Sequence, residues 1–375
     1  MNSRRLLGLG VLAAVVLAGA LLLANQRAGT SIEGGKPLYP SLKTEADSID
    51  AVRIFKAGKG DAPTLELLRK ESGWTLTQRG GYPADAARVR KLILALTDAK
   101  IAEQKTSSAQ SYPKLGVEDL TAEGASGVRI EMAGGKTPVK LIVGKTGNKD
   151  QTYVRRAGEA PSWLVTSTIE APTLPDAWLR RELLDIPGNR LQSAAVTIGD
   201  KTYTASKSTR AEPQFKVDGL PKGKELTPAA ANSFATALQG LSLSEVRTTQ
   251  EFGSAPPAAS ATFKTFDGLV AKLNGWVRDD KRYVSIGTSY DEALAKQFEL
   301  PAPEAAPATD AAKPEAGKSE QTKAATSEPA KQPAVDQKVR EEVSTASQRL
   351  AGWVFEIPSY KYDVIFKPMD QLLKK

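Results

Sequence analysis

The chain contains no cysteine and no histidine. Without cysteine there are no disulfides, no thiolate nucleophiles and no lipid-modified cysteine anchor. Without histidine, imidazole serves neither as general base nor as metal ligand. Catalysis would have to rest on carboxylate, lysine, serine or tyrosine chemistry. The expectation is a protein that is not an enzyme and that binds no cofactor and no metal. Aromatics make up only 6% of the residues. Lys and Arg number 51 against 43 Asp and Glu, a net charge of +8, with the two signs interleaved along the chain. No basic run interleaved with aromatics occurs, so the charge describes a solvated surface and no nucleic acid is expected as a partner.

What is present is enough chain for about two domains with proper cores, since 41% of 375 residues are hydrophobic. Arg4 and Arg5 precede an uncharged run over residues 6–24. As a helix rising about 1.5 Å per residue, that run almost spans a hydrocarbon core of roughly 30 Å. A cleaved signal peptide has a shorter apolar region, of about 7–15 residues, ending in an A-x-A-like site. Ala18-Gly19-Ala20 offers such a site, but Leu21, Leu22 and Leu23 follow it. The expectation is a retained single-pass anchor over residues 1–25, meeting the lipid bilayer through residues 6–24. With two arginines ahead of it, the N-terminus is cytoplasmic and the bulk of the chain lies outside a bacterial inner membrane, in the periplasm.

Beyond this run the chain reads as one unit written twice. Ile49, Val52 and Ile54 alternate, as do Leu65 and Leu67, which predicts half-buried strands. Tyr82-Pro83-Ala84-Asp85 then opens a helix with Val89, Leu92, Ile93 and Leu96 at helical spacing. A similar order returns over residues 191–198, then at Tyr203, Phe215, Val217, Leu226 and a helix over 234–241. The spacing from Val52 to Val196 equals that from Tyr82 to Leu226. Later, Tyr153-Val154 is echoed by Tyr283-Val284, and Trp163 by Trp353. The changing offsets imply a shorter loop and a long insertion in the second copy. The insertion falls where the composition turns almost wholly to Ala, Pro, Glu, Lys, Ser and Thr, too poor in apolar bulk to order itself.

The fold class expected is α+β: two similar lobes of mainly antiparallel sheet, each with a packed helix, from an internal duplication, behind one N-terminal transmembrane helix. The expected divisions are an anchor at 1–25, a tether at 26–48 and a first lobe at 49–173. A connector helix follows at 174–190 and a second lobe at 191–299. A disordered insert at 300–345, with a short helix over 339–350, and C-terminal strands at 346–375 complete the chain. On the amphipathic connector, Trp178, Arg180 and Arg181 are the candidates for a partner surface.

Several motifs fail on inspection. Gly144-Lys145-Thr146 ends like a phosphate-binding loop, but the required first glycine is Val139. Ser111-Tyr-Pro-Lys114 with Lys145-Thr146-Gly147 copies two elements of penicillin-binding and serine β-lactamase sites. The third element is missing, and Pro113 obstructs the helix that would align Ser and Lys. Asp85, Glu118, Asp119 and Asp267 lie near element ends, with no spacing that pairs any two as acid and base. Asp85 at a helix start is explained by the helix dipole. Trp74, Trp163, Trp276 and Trp353 sit in strand patterns and read as core, not as platforms for sugars.

Taken in order, Trp74, the string Gly81-Tyr82-Pro83-Ala84-Asp85, Val89 and Leu96, Leu115-Gly116-Val117, Val143-Gly144-Lys145, Tyr153-Val154-Arg155, Trp178-Leu-Arg180, Leu184 and Ile186-Pro187 resemble the DUF4340 family. The resemblance runs over 49–286 and resumes after the insertion. It transfers no catalytic residues. It implies a bacterial membrane-anchored protein associated with gliding-type or ABC-2 transporter components, so membrane transporter subunits are the expected partners. The function expected is a non-enzymatic extracytoplasmic accessory or scaffold protein of an envelope transport complex. The alternative is a binding module for cell-wall or surface polysaccharide. The sequence sets no oligomeric state.

Overall fold

The structure is a computed structural model that describes residues 35–298, apart from 149 and 228, and residues 335–374. The apolar run over 6–24 lies outside the described residues, as does most of the composition-biased insert. Among the described residues no helix is long and apolar enough to cross a membrane. The chain divides into two compact units, one ending at Arg180 and the other beginning at Arg181. Both are α+β, built on mainly antiparallel sheets.

The first unit carries β1 (Ala51–Lys56), β2 (Leu65–Lys70), β3 (Gly73–Leu76), β4 (Tyr82–Pro83), β5 (Ile101–Gln104), β6 (Val128–Ala133), β7 (Val139–Thr146), β8 (Thr152–Arg156) and β9 (Ser162–Val165). They form one sheet in the order β4-β3-β2-β1-β6-β7-β8-β9-β5. Its helices are α1 (Leu42–Glu45), α2 (Ala86–Thr97) and α3 (Tyr112–Leu115). Asp85 caps α2, its Oδ1 accepting from Ala87 N at 3.0 Å and Arg88 N at 3.1 Å. Val89, Leu92, Ile93 and Leu96 form the buried stripe of α2. Val52, Ile54, Ile130 and Leu141 are buried on neighbouring strands, paired Val52 with Met132, Ile54 with Ile130, and Ile130 with Leu141. Each such side chain, taken out of water, contributes about 1.5–3 kcal/mol.

The second unit carries β10 (Glu182–Leu184), β11 (Leu191–Ile198), β12 (Lys201–Ser206), β13 (Lys216–Asp218), β14 (Leu241–Ser242), β15 (Glu245–Thr248), β16 (Ala259–Thr265), β17 (Leu269–Arg278), β18 (Lys281–Tyr290) and β19 (Trp353–Ile357). Its main sheet runs β13-β12-β11-β16-β17-β18-β19-β15. Strand for strand, this is the order β3-β2-β1-β6-β7-β8-β9-β5 of the first unit. The difference is that β4 extends the first sheet, whereas β14 pairs with β10 in a separate ribbon. Taking Val284 as the echo of Val154, both neighbours of that strand are offset by two positions: Val154 lies between Val143 and Trp163, whereas Val284 lies between Gly275 and Phe355, not between Leu273 and Trp353.

Several sequence expectations are corrected. The second half of the tether belongs to the first unit: Leu38, Tyr39 and Leu42 are buried. Gly35 N donates to Ile101 O and Leu38 N to Ala99 O, both at 2.7 Å. The connector is not a helix. After one 3₁₀ turn at Pro175–Trp178 the chain is extended, Leu179 bridging Ala84 and β10 pairing with β14. Its backbone groups find partners across neighbouring segments, which overrides the local helical spacing. The helix expected at 234–241 is a 3₁₀ helix, Ala230–Thr236, followed by β14. No side chain caps it. Ser233 Oγ and Thr236 Oγ1 donate back to Ala230 O and Ser233 O at 2.9 Å, competing with α-helical bonds.

The insert returns earlier than expected, as α6 (Val335–Leu350), after α4 (Thr249–Phe252) and α5 (Glu292–Gln297). Val339, Val343, Ala346 and Leu350 are buried at helical spacing, and the helix lies against β17 and β18. Arg190 fastens it, reaching Glu342 at 2.9 Å and Asp267 at 2.8 Å. Burial opposes the charge on Arg190, but the hydrogen bonds it donates to Glu342 and Asp267 outweigh it and raise the pKa. The C-terminal segment supplies one strand, β19. It then turns helical at α7 (Ser359–Ile365) and in a 3₁₀ turn at Met369–Leu372, burying Tyr362, Ile365, Phe366 and Leu372.

Candidate ligand cleft of the first unit

The face of the first sheet turned away from α2 is covered by the loop between β5 and β6. Tyr112 on α3 and Val117 pack with Ile142 of β7, and Tyr153 of β8 joins them. Four residues of the recognised motif strings hold this loop down. Gly116 ends α3 with φ 71°, a left-handed conformation that favours glycine. Gly144 lets the loop approach β7: a Cβ there would stand 2.2 Å from Leu115 O. Lys145 Nζ donates to the exposed helix-end carbonyls of Pro113 and Lys114 at 3.2 and 3.1 Å. Arg155 is buried and donates to Val117 O at 2.8 Å, Glu159 O at 3.0 Å and Asp119 Oδ1 at 2.6 Å, its Cζ 4.5 Å from the Tyr112 ring centroid.

Beyond this clasp the loop and the β1–β2 connection frame a cleft of about 530 Å³. One wall carries Gly60 and Asp61, the other Thr121 and Glu123, and Arg129 of β6 also lines it. Register places Arg129 opposite Phe55 of β1, with its Cζ 4.1 Å from the ring centroid. Glu131, two residues on and on the same face, lies 3.0 Å from Arg129 Nε. Arg53, paired with Glu131 across the ladder, binds Glu66 at 2.8 Å. Opposite charges thus alternate across β2, β1 and β6, a pattern visible only once register is known.

The acidic candidates are dispersed into structural roles. Asp85 caps α2, Asp119 binds Arg155, and Asp267 binds Arg190 and accepts from Thr265 Oγ1 at 2.5 Å. Glu118 is buried, and its Oε2 accepts no hydrogen bond among the described residues. Among the described residues no group of three or more acidic side chains is placed to hold a metal ion. Trp178, a candidate for partner contact, is fully buried, its Nε1 donating to Pro172 O at 2.8 Å. Arg180 and Arg181 are exposed, and their backbones are engaged: Arg180 N donates to Pro83 O at 3.1 Å, and Leu243 N donates to Arg181 O at 2.9 Å. Arg129 and Phe55 escaped the sequence reading because nothing local marks two residues as cross-strand neighbours.

Two mainly antiparallel sheets of shared strand order, with motif residues fastening a loop to one of them, define an α+β protein of two units. A family model described as a domain of unknown function, DUF4340, matches residues 74–261, half of the chain, and the chain belongs to that family. The match starts inside the first unit, on β3, and ends inside the second, on β16. No curated protein and no solved structure matches the chain.

Proposed function

We propose that this is a non-enzymatic extracytoplasmic accessory or scaffold protein of an envelope transport complex of the ABC-2 or gliding type. In this reading residues 6–24 anchor it in a bacterial inner membrane, and its two lobes descend from an internal duplication. The observation that carries the reading is that the residues marking the family resemblance serve architecture. Asp85, Gly116, Gly144, Lys145 and Arg155 each secure a helix or a loop. A family defined by such residues is defined by a framework that presents surfaces. The shared strand order of the two sheets supports the duplication.

Polysaccharide binding is the competing outcome. It is less favoured because the cleft is lined without an aromatic platform and none of Trp74, Trp163, Trp276 and Trp353 is exposed. Crosslinking in intact membranes, followed by affinity purification and mass spectrometry, separates the two. Recovery of membrane transporter subunits is expected. Recovery of no protein partner, with retention of the chain on purified wall polymer, would sink the scaffold reading. The mass of the mature protein tests the anchor, since loss of the N-terminal run would refute it.

A further inference from the structure

One arginine on the outer face of the first sheet has donors to spare. Arg155 has a partner at each of its three guanidinium nitrogens. Arg129 is held differently. The Phe55 ring fixes its plane at 4.1 Å, and Glu131 stands 3.0 Å from Nε, which is sealed from solvent and not aligned for a hydrogen bond. The side chain nevertheless keeps 24% of its surface and lines the cleft of about 530 Å³. Among the described residues its Nη1 and Nη2 have no hydrogen-bond acceptor. The open part of this pre-oriented guanidinium is therefore its Nη edge, the edge that grips a carboxylate with two parallel bonds.

The cleft falls within the roughly 300–1,000 Å³ typical of small-molecule sites. Its other charged groups, Asp61 and Glu123, are both acidic and exposed. These two carboxylates on the cleft lining, with Glu131 already against the arginine, repel a multiply charged phosphate and attract an ammonium group. We propose that the cleft binds a small amino-carboxylate, a free amino acid or a short peptide end, with its carboxylate on Arg129 and its amine toward Asp61 and Glu123. This goes beyond the scaffold reading and does not depend on it.

Calorimetric titration of the full-length chain in detergent, at fixed ionic strength and pH 7, tests the assignment with glycylglycine, acetate and inorganic phosphate as probes. Glycylglycine is expected to bind tightest, acetate more weakly, and phosphate no better than chloride. Arg129→Gln is expected to weaken glycylglycine by about 10- to 100-fold, the worth of a charge-assisted hydrogen bond. Because Arg129 also packs on Phe55, a second variant keeps it in place: Glu123→Lys reverses the rim charge and is expected to weaken glycylglycine and strengthen phosphate. Equal glycylglycine affinity in the parent chain and Arg129→Gln overturns the proposal. So does phosphate binding in the parent chain that matches glycylglycine.

Discussion

The loop joining β5 to β6 and the loop joining β15 to β16 fasten to their sheets with the same parts drawn from different places. In the first unit Tyr112 on α3 packs against the outer face beside Tyr153, and Arg155 of β8 lies over its ring. In the second unit Phe252 on α4 packs with Tyr283 of β18, and Arg278 lies over it at 3.9 Å, donating to Phe252 O at 2.7 Å. Arg278 ends β17, so it is not the positional counterpart of Arg155. Strand order is common to the two units, whereas each loop has its own arginine. A desolvated cation–π pair is worth about 2 kcal/mol, and any nearby strand end that delivers a guanidinium to the ring can supply it.

Four experiments set the two units against each other. The largest effect is expected at Phe234, fully buried between Tyr203 and Phe263 with ring centroids 6.2 and 6.3 Å away. Phe234→Ala should destabilise the second unit by about 3–5 kcal/mol. Hydrogen exchange should then rise along 191–290 and stay unchanged along 49–165. A rise in both would show that the units do not unfold separately. Next, Arg155→Met should cost about 2–4 kcal/mol, because Val117 O and Glu159 O lose their donor under the loop. Arg278→Met, with a more exposed side chain, should cost less in the same denaturant titration. Equal losses would mean the two clasps are energetically alike.

The third test uses pH. Burial pushes the Tyr39 hydroxyl up to about 12, with Arg156 pulling the other way, and burial also raises Tyr203 in the second unit. Each folded pKa lies above the unfolded value near 10, so their stabilisation is complete below about pH 10. It falls by about 1.4 kcal/mol per pH unit per tyrosine as pH rises toward the folded values. Tyr39→Phe should flatten that fall in the first unit and Tyr203→Phe in the second, read from denaturation midpoints between pH 9 and 12. The smallest effect is at the helix start. Asp85→Ala should cost about 1 kcal/mol, while the uncapped 3₁₀ helix Ala230–Thr236 has no equivalent cap to lose.

How much of this was legible follows from the range of each interaction. Alternation at Val52 and Ile54, and the stripe from Val89 to Leu96 behind Asp85, are local signals, and the strands and α2 appear where they point. The docking of Leu38 beside Ala99, and of β10 beside β14, is not local: nothing in either segment announces its partner. The connector misled because Leu179, Leu183 and Leu184 suit a helix as well as an extended segment whose partners are elsewhere. At the cleft, Asp61 and Glu123 are ordinary loop acids in sequence. Only the pairing of β1 with β6 brings Arg129 onto Phe55 and gives those acids a neighbour.

The pairing of β19 has a consequence for how such a chain tolerates insertions. A long segment between β18 and β19 stands where a short turn ties β8 to β9, and the last strand still takes the same place in the sheet. The pairing with the neighbouring edge strand is the same in both units: Thr248 faces Trp353 as Gln104 faces Trp163. Since side chains alternate, any slide of this strand would have to come in twos: an odd step would turn Phe355 out of the core and a neighbour into it. Loop length between these strands is therefore free to drift, while the parity of their pairing is not.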